Sequence, residues 1–151
     1  MRKKKQRRWD YLGYEFKSKL EYDIGVDLIN REQVFEYESQ AFGYTIPVIH
    51  SYCNGCGDGP AFMDRTYTPD FFLSNGIIVE AKGRFTADER KKHRAMKEQH
   101  PDLDLRMLFQ SDNYLTNNKK AKNRKRYSTW CNSMGIKWAI GKKIPQEWLD
   151  E

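Results

Sequence analysis

Two short runs could bring carboxylates and a lysine within reach of one another. Thr68-Pro-Asp70 and Glu80-Ala-Lys82 flank the segment Ser74-Asn-Gly76. If those three residues form a hairpin loop with Gly76 left-handed, Leu73 pairs with Ile77. The register then sets Asp70 directly opposite Glu80, and Lys82, two residues on, shares their face. A two-residue Asn75-Gly76 turn would pair Asp70 with Ala81 and send Glu80 to the other face. The three-residue loop is adopted because it gathers the charges.

Facing carboxylates repel and destabilise a sheet unless a cation lies between them. Their hard oxygens suit Mg²⁺ or Mn²⁺, which takes one or two protein carboxylates and completes its shell with water and phosphate. Such an ion polarises a scissile phosphate and lowers the pKa of an attacking water. Lys82 would add positive charge where the phosphorus becomes pentacoordinate, or orient the water. A surface Asp–Lys or Glu–Lys pair would leave the same loose pattern in a sequence. However, Phe71, Phe72, Ile77, Ile78 and Val79 imply a buried strand pair, where charge without a purpose is expensive. Asp70 and Glu80 are therefore the expected metal ligands and Lys82 the expected catalytic cation. Glu21 is a third candidate acid, although Ser18-Lys-Leu-Glu21 is also a capping box in which the glutamate only bonds back to the helix start. His93 and His100 accompany a very polar helical segment and are read as solvated.

The elements that must position these groups follow from periodicity. Leu20, Ile24 and Leu28, continued by Phe16, give one helical face over residues 18–30. Residues 34–46 are rich in β-formers and read as one long strand or a bent pair. Residues 50–65, with several glycines and few aliphatics, read as an irregular loop. Strands are expected at 67–73 and 77–82. The capping box Thr86-Ala-Asp-Glu89 starts a helix that Pro101 must end. Leu103, Leu105, Met107 and Phe109 alternate with Asp104, Arg106 and Leu108, a strand with one clearly apolar face. A short helix near 128–134 stops at Gly135. Ile136, Trp138 and Ile140 form a last strand, and residues 145–150 a terminal helical turn. This order describes a mixed α/β domain with helices packed on a central sheet.

Composition restricts the partner. The 151 residues make one ordinary domain. An aromatic content of 14% argues against disorder. No apolar run is long enough to span a membrane, and the basic N-terminus lacks the apolar stretch of a secretory signal. The chain is therefore expected to be soluble and intracellular. A net charge of +6 points to a polyanion. Much of that charge lies in residues 1–8 and in a block comprising Lys119, Lys120, Lys122, Arg124, Lys125 and Arg126. Tyr114, Tyr127 and Trp130 flank the block, and aromatics beside cations suit backbone tracking and base stacking. These six residues are the expected DNA contacts.

The run Tyr67-Thr-Pro-Asp-Phe-Phe-Leu-Ser-Asn-Gly-Ile-Ile-Val-Glu-Ala-Lys-Gly83 resembles the core of phage endonuclease I, the T-seven type of Holliday junction resolvase. The likeness extends to Phe16-Lys-Ser-Lys-Leu-Glu21, Phe35-Glu-Tyr-Glu38, Asp88-Glu-Arg-Lys-Lys-His93, Glu98-Gln-His-Pro101, Gly135-Ile-Lys137 and Ile144-Pro-Gln-Glu-Trp148, in the same order. The resemblance implies a PD-(D/E)xK nuclease with a restriction-endonuclease-like core that resolves branched DNA such as four-way (Holliday) junctions with Mg²⁺ or Mn²⁺. It implies that Asp70 and Glu80 hold metal, that Lys82 is the catalytic lysine, and that Glu21 belongs to the active site. It further implies a homodimer that exchanges N-terminal segments, making each site composite. A basic arm over residues 1–15 would then precede a single nuclease domain over 16–151.

The sequence departs from that family between His50 and Arg65. His50, Cys53 and Cys56 have the spacing of three zinc ligands, and a structural Zn²⁺ there is an alternative to a glycine-rich loop with two reduced thiols. Two other functions remain open: a sequence-specific or nicking endonuclease on the same core, and a DNA-binding protein without activity. Intact Asp70, Glu80 and Lys82 disfavour the last.

Overall fold

The structure is a computed structural model that describes residues 9–48 and 61–151. A small antiparallel pair, β1 (Asp10–Tyr11) and β2 (Tyr14–Glu15), opens it and packs its aromatics on the first helix. Helix α1 (Lys19–Asn30) begins where Ser18, extended, accepts from the Glu21 amide, and it buries Leu20, Ile24 and Leu28 as their spacing requires. The β-rich stretch that follows is a bent pair whose halves join different sheets. β3 (Phe35–Tyr37) enters the central sheet, while β4 (Phe42–Val48) pairs with β5 (Ala61–Tyr67) in a separate two-stranded ribbon. Residues 61–65, expected as loop, are therefore strand. Their side chains are mostly exposed, so burial supplied no signal.

The central sheet has the order β3-β6-β7-β8-β9, with β6 at Phe71–Leu73, β7 at Ile78–Lys82, β8 at Leu105–Phe109 and β9 at Trp138–Ile140. β3–β6 and β6–β7 are antiparallel, whereas β7–β8 and β8–β9 are parallel. The expected single strand over 67–73 is broken around Pro69, where β5 ends and β6 begins. α2 (Ala87–Gln99) makes the crossover from β7 to β8, and α3 (Tyr127–Met134) leads into β9 after a left-handed Gly135. α4 (Gln146–Asp150) closes the chain. This is the mixed α/β architecture expected, with a central mixed sheet flanked by helices. No helix among the described residues is long and apolar enough to cross a membrane.

Alternation along the strands divides the core in two. Phe71, Leu73, Val79, Ala81 and Leu108 pack with α1 residues and with Ile144 and Trp148. Met107 and Phe109 pack instead with Phe85, Tyr127, Trp130 and Cys131. Covering both faces buries Arg106 as well. It is 1% exposed, bonded to Asp104 at 2.8 and 2.7 Å and to Glu151 at 3.1 and 2.5 Å, with its guanidinium over the Trp148 ring. The pairing is what makes burial of that charge tolerable.

Candidate active site

Turn chemistry fixes the hairpin register. Gly76 has φ +89°, its amide donates to the Leu73 carbonyl at 3.1 Å, and the Leu73 amide donates to the Ile77 carbonyl at 2.9 Å. The loop is therefore the three-residue form, with Phe72 opposite Ile78 and Phe71 opposite Val79. One further step along the ladder sets Asp70 against Glu80. Since Val79 and Ala81 face α1, strand alternation sends Glu80 and Lys82 to the face that α2 covers.

Asp70 is 8% exposed, and one of its oxygens accepts from the Ala81 amide at 2.8 Å. Its carboxylate converges with those of Glu21 and Glu38, one oxygen from each lying within 4.8 Å of the others. Glu21 arrives there as a by-product of helix initiation. Its amide is capped by Ser18, whose hydroxyl donates back to Glu21 Oε1 at 2.6 Å, while the Tyr37 hydroxyl donates to Oε2. The capping contact of Glu21 and its convergence with Asp70 thus coexist. Glu38 is brought in by its backbone, whose amide donates to the Asp70 carbonyl at 2.8 Å, and Lys17 pairs with its side chain at 2.6 Å.

Burial pushes the Asp70 carboxyl well above the ordinary carboxylate range, and the charges of Glu80 and Glu21 push it further. The Ala81 amide and Lys82 oppose this. Three crowded acids at the edge of a core are unfavourable on their own, and a hard dication is the partner that would relieve them. Their oxygens therefore fit Mg²⁺ or Mn²⁺.

Glu80, 2% exposed, is held from two sides. The Tyr67 hydroxyl donates to Oε2 at 2.5 Å, and Lys82 Nζ lies 2.8 Å from Oε1. Lys82 also meets Glu89 Oε2 at 3.0 Å. Burial works against the lysine charge, but Glu80 and Glu89 outweigh it and hold its pKa above the ordinary value, so Lys82 is a fixed cation. Burial, then the Glu80 charge, raises the Tyr67 hydroxyl, which stays a donor.

Sequence reasoning missed Tyr67, Glu38 and Glu89. It misjudged His93, which is 1% exposed between Tyr67 and Phe85 rather than solvated. Burial, with Lys92 and Lys82 nearby, lowers its pKa to about 3, so the imidazole is neutral. His100 is partly buried, with Nε2 2.6 Å from the Gly43 carbonyl. His50, Cys53 and Cys56 lie outside the described residues.

The basic block follows a turn rather than a helix. Lys119, Lys120, Lys122, Lys125 and Arg126 are exposed and Arg124 half-buried. The guanidinium carbons of Arg124 and Arg126 lie 4.0 and 4.2 Å from the Tyr114 ring centroid. Arg84, Asn113, Tyr114, Lys119, Arg124 and Tyr127 line an open concavity of about 450 Å³. Arg84 follows Lys82 by two residues, so this cationic hollow adjoins the site along the chain.

Fold and site together define a mixed α/β enzyme in which one hairpin and one helix converge acids beside a fixed lysine. Residues 58–151 match the family model of phage endonuclease I. The chain is 40% identical over 136 residues to endonuclease I of Escherichia phage T7, covering 90% of this chain and 79% of the relative. It is 37% identical over 134 residues to endodeoxyribonuclease 1 of Enterobacteria phage T3, covering 88% and 76%. The chain belongs to the phage endonuclease I family.

Proposed function

We propose that the protein is a structure-selective DNA endonuclease that hydrolyses phosphodiesters in branched DNA such as four-way junctions. The observation that carries this reading is the convergence of Glu21, Glu38 and Asp70 within 4.8 Å, one hairpin register away from the Glu80–Lys82 pair. Within the PD-(D/E)xK scheme, Asp70 and Glu80 are the residues to hold Mg²⁺ or Mn²⁺, with Glu21 and Glu38 as the acids beside Asp70. When bound, that ion supplies charge neutralisation at phosphate and an acidified water. Lys82, kept protonated by its two glutamates, offers a fixed positive charge to the developing phosphorane. Tyr67 anchors Glu80 so that the carboxylate does not swing away. Asp70 keeps one oxygen on the Ala81 amide, which orients the other.

The basic block and the hollow beside it would neutralise phosphates flanking the cut and set the register of the DNA without reading its sequence. A homodimer that exchanges N-terminal segments would present two such sites to the two strands of a junction. In that assembly α1 would deliver Glu21 to the partner's Asp70 through the contact made here within one chain.

A gel assay tests the proposal, using a four-way junction and a linear duplex built from the same arms, each with and without Mg²⁺. The junction should be cut only with metal and the duplex spared. Equal cutting of both substrates would exclude structure selectivity, and cutting without metal would exclude the acid cluster as its seat.

A further inference from the structure

On the α2 side of the sheet, behind Lys82, a second set of ligand atoms meets. One oxygen each of Glu80 and Glu89 and a ring nitrogen of His93 all lie within 4.8 Å of one another. Glu80 comes from strand alternation, while Glu89 and His93 stand four residues apart on one face of α2. The Lys82 ammonium lies between the two carboxylates, 2.8 Å from one and 3.0 Å from the other. Lys92 reaches the same Glu89 oxygen at 2.9 Å. Two ammonium groups thus crowd one oxygen, and departure of either relieves their repulsion.

His93 is the part of this cluster that lysine leaves unused. Neither ring nitrogen has a hydrogen-bond partner among the described residues, and Nε2 stands 3.8 Å from Glu89 Oε2. An unpartnered buried polar group of this kind costs roughly 1–3 kcal/mol. The ring's neighbours are the aromatic faces of Tyr67 and Phe85, surroundings that a phenylalanine would fill equally well. Packing therefore accounts for an aromatic ring here but not for its nitrogens. A cation with an affinity for nitrogen would account for them.

We propose that Glu80, Glu89 and His93 form a second metal site, selective for a transition dication such as Zn²⁺, which enters by displacing the Lys82 ammonium. Two carboxylates and a neutral imidazole are a donor set for zinc, with water in the fourth position, whereas Mg²⁺ favours oxygen donors alone. Lysine and dication are alternative partners of one site, because both draw on the carboxylates of Glu80 and Glu89. Occupation by zinc takes Lys82 from its place beside Glu80 and so inhibits cleavage. That inhibitory consequence rests on the function proposed for Lys82, whereas the binding itself does not.

The test is zinc titration by calorimetry on the full chain carrying Asp70→Asn, Cys53→Ser and Cys56→Ser, which takes one acid from the other cluster and removes the thiols of Cys53 and Cys56. One zinc should bind per chain, and Mg²⁺ at equal concentration should not displace it. Adding His93→Phe, or His93→Gln as a polar alternative, should weaken zinc at least about tenfold, with thermal melts confirming that each variant is folded. Failure to bind zinc, or affinity unchanged by both histidine variants, overturns the site whatever the enzyme cuts. In chains otherwise wild type, zinc added over Mg²⁺ should slow junction cleavage more than it slows the His93→Phe variant. Equal inhibition of the two overturns the competition with Lys82.

Discussion

Asp70 lies across the hairpin from Glu80, yet the two carboxylates look to different partners. Asp70 converges with Glu21 and Glu38, while Glu80 is held by Tyr67 and Lys82. The pair therefore divides the labour of the site between a cluster whose cation, Lys17, bonds Glu38 rather than Asp70, and a carboxylate bonded directly by Lys82. Asp70→Asn, Glu80→Gln and Lys82→Ala should each slow cleavage by about a hundredfold or more, while junction affinity in a gel-shift assay stays close to wild type. Near-normal cutting by Glu80→Gln would remove Glu80 from the site.

The crowding of buried carboxylates at Asp70 has a signature in stability. Its folded-state pKa is raised above the ordinary 3.8, first by burial and then by Glu80 and Glu21. The stability it contributes is thus present below about pH 4 and lost as pH rises through the raised value. In EDTA, the melting temperature of Asp70→Asn should exceed that of wild type at neutral pH, and the advantage should vanish on acidification. Mg²⁺ should stabilise wild type and not the variant. A variant less stable than wild type at pH 7 in EDTA would contradict the crowding.

Neutralising Lys119, Lys120, Lys122, Arg124, Lys125 and Arg126 should weaken junction binding and flatten its salt dependence by about 0.9 log units of slope per lost phosphate contact. Replacing Arg124 and Arg126 also strips the cations from Tyr114, so these two should cost more than the exposed lysines. An unchanged slope would mark the block as a solvated charge run.

Helix α1 is seated by a glycine. A Cβ on Gly25 would collide with the ring of Phe16 at its Cζ; that ring is 3% exposed, stacked on Tyr14 and Phe71 and edge-on to Tyr37. Gly25→Ala gains about 1 kcal/mol of helix propensity but overpacks a ring that cannot yield, at a cost of roughly 1–3 kcal/mol. The net expectation is a lower melting temperature, with weaker activity as Glu21 is pushed from Asp70. A higher melting temperature with unchanged activity would show that the ring moves freely.

The exchanged dimer predicts complementation. A mixed dimer of Glu21→Ala and Asp70→Asn chains, purified through two different tags, should nick one strand of a junction although both parent homodimers are inactive. In the exchanged arrangement one site collects both lesions and the other none. A mixed dimer that binds junctions without cutting would show that Glu21 serves its own chain.

The legible parts of this molecule were those governed by local rules. Ser18 and Thr86 announced their helices, and the Ser74-Asn-Gly76 loop set the register that aligns Asp70 with Glu80. Glu89 shows where such rules stop. It satisfies a capping pattern, and its amide does bond to Thr86 Oγ1 at 3.3 Å. Its carboxylate turns instead to Lys92, one turn along the same helix, and to Lys82, a contact created by packing α2 on the sheet. His93 was misjudged for a related reason: polar neighbours in sequence were taken for exposure, but a sheet covered on both faces buries polar positions too, Arg106 among them. Glu38 required the β3–β6 pairing, which joins residues far apart in the chain and leaves no local trace.

Tyr67 belongs to two structures at once. It is the last residue of the β4–β5 ribbon, paired with Phe42, and its hydroxyl holds Glu80 at 2.5 Å. Ribbon and carboxylate are thus connected in mechanical series through one stiff aromatic ring with two rotatable bonds. A load on the ribbon, from whatever seats against it, reaches Glu80 by this lever without passing through a slack loop.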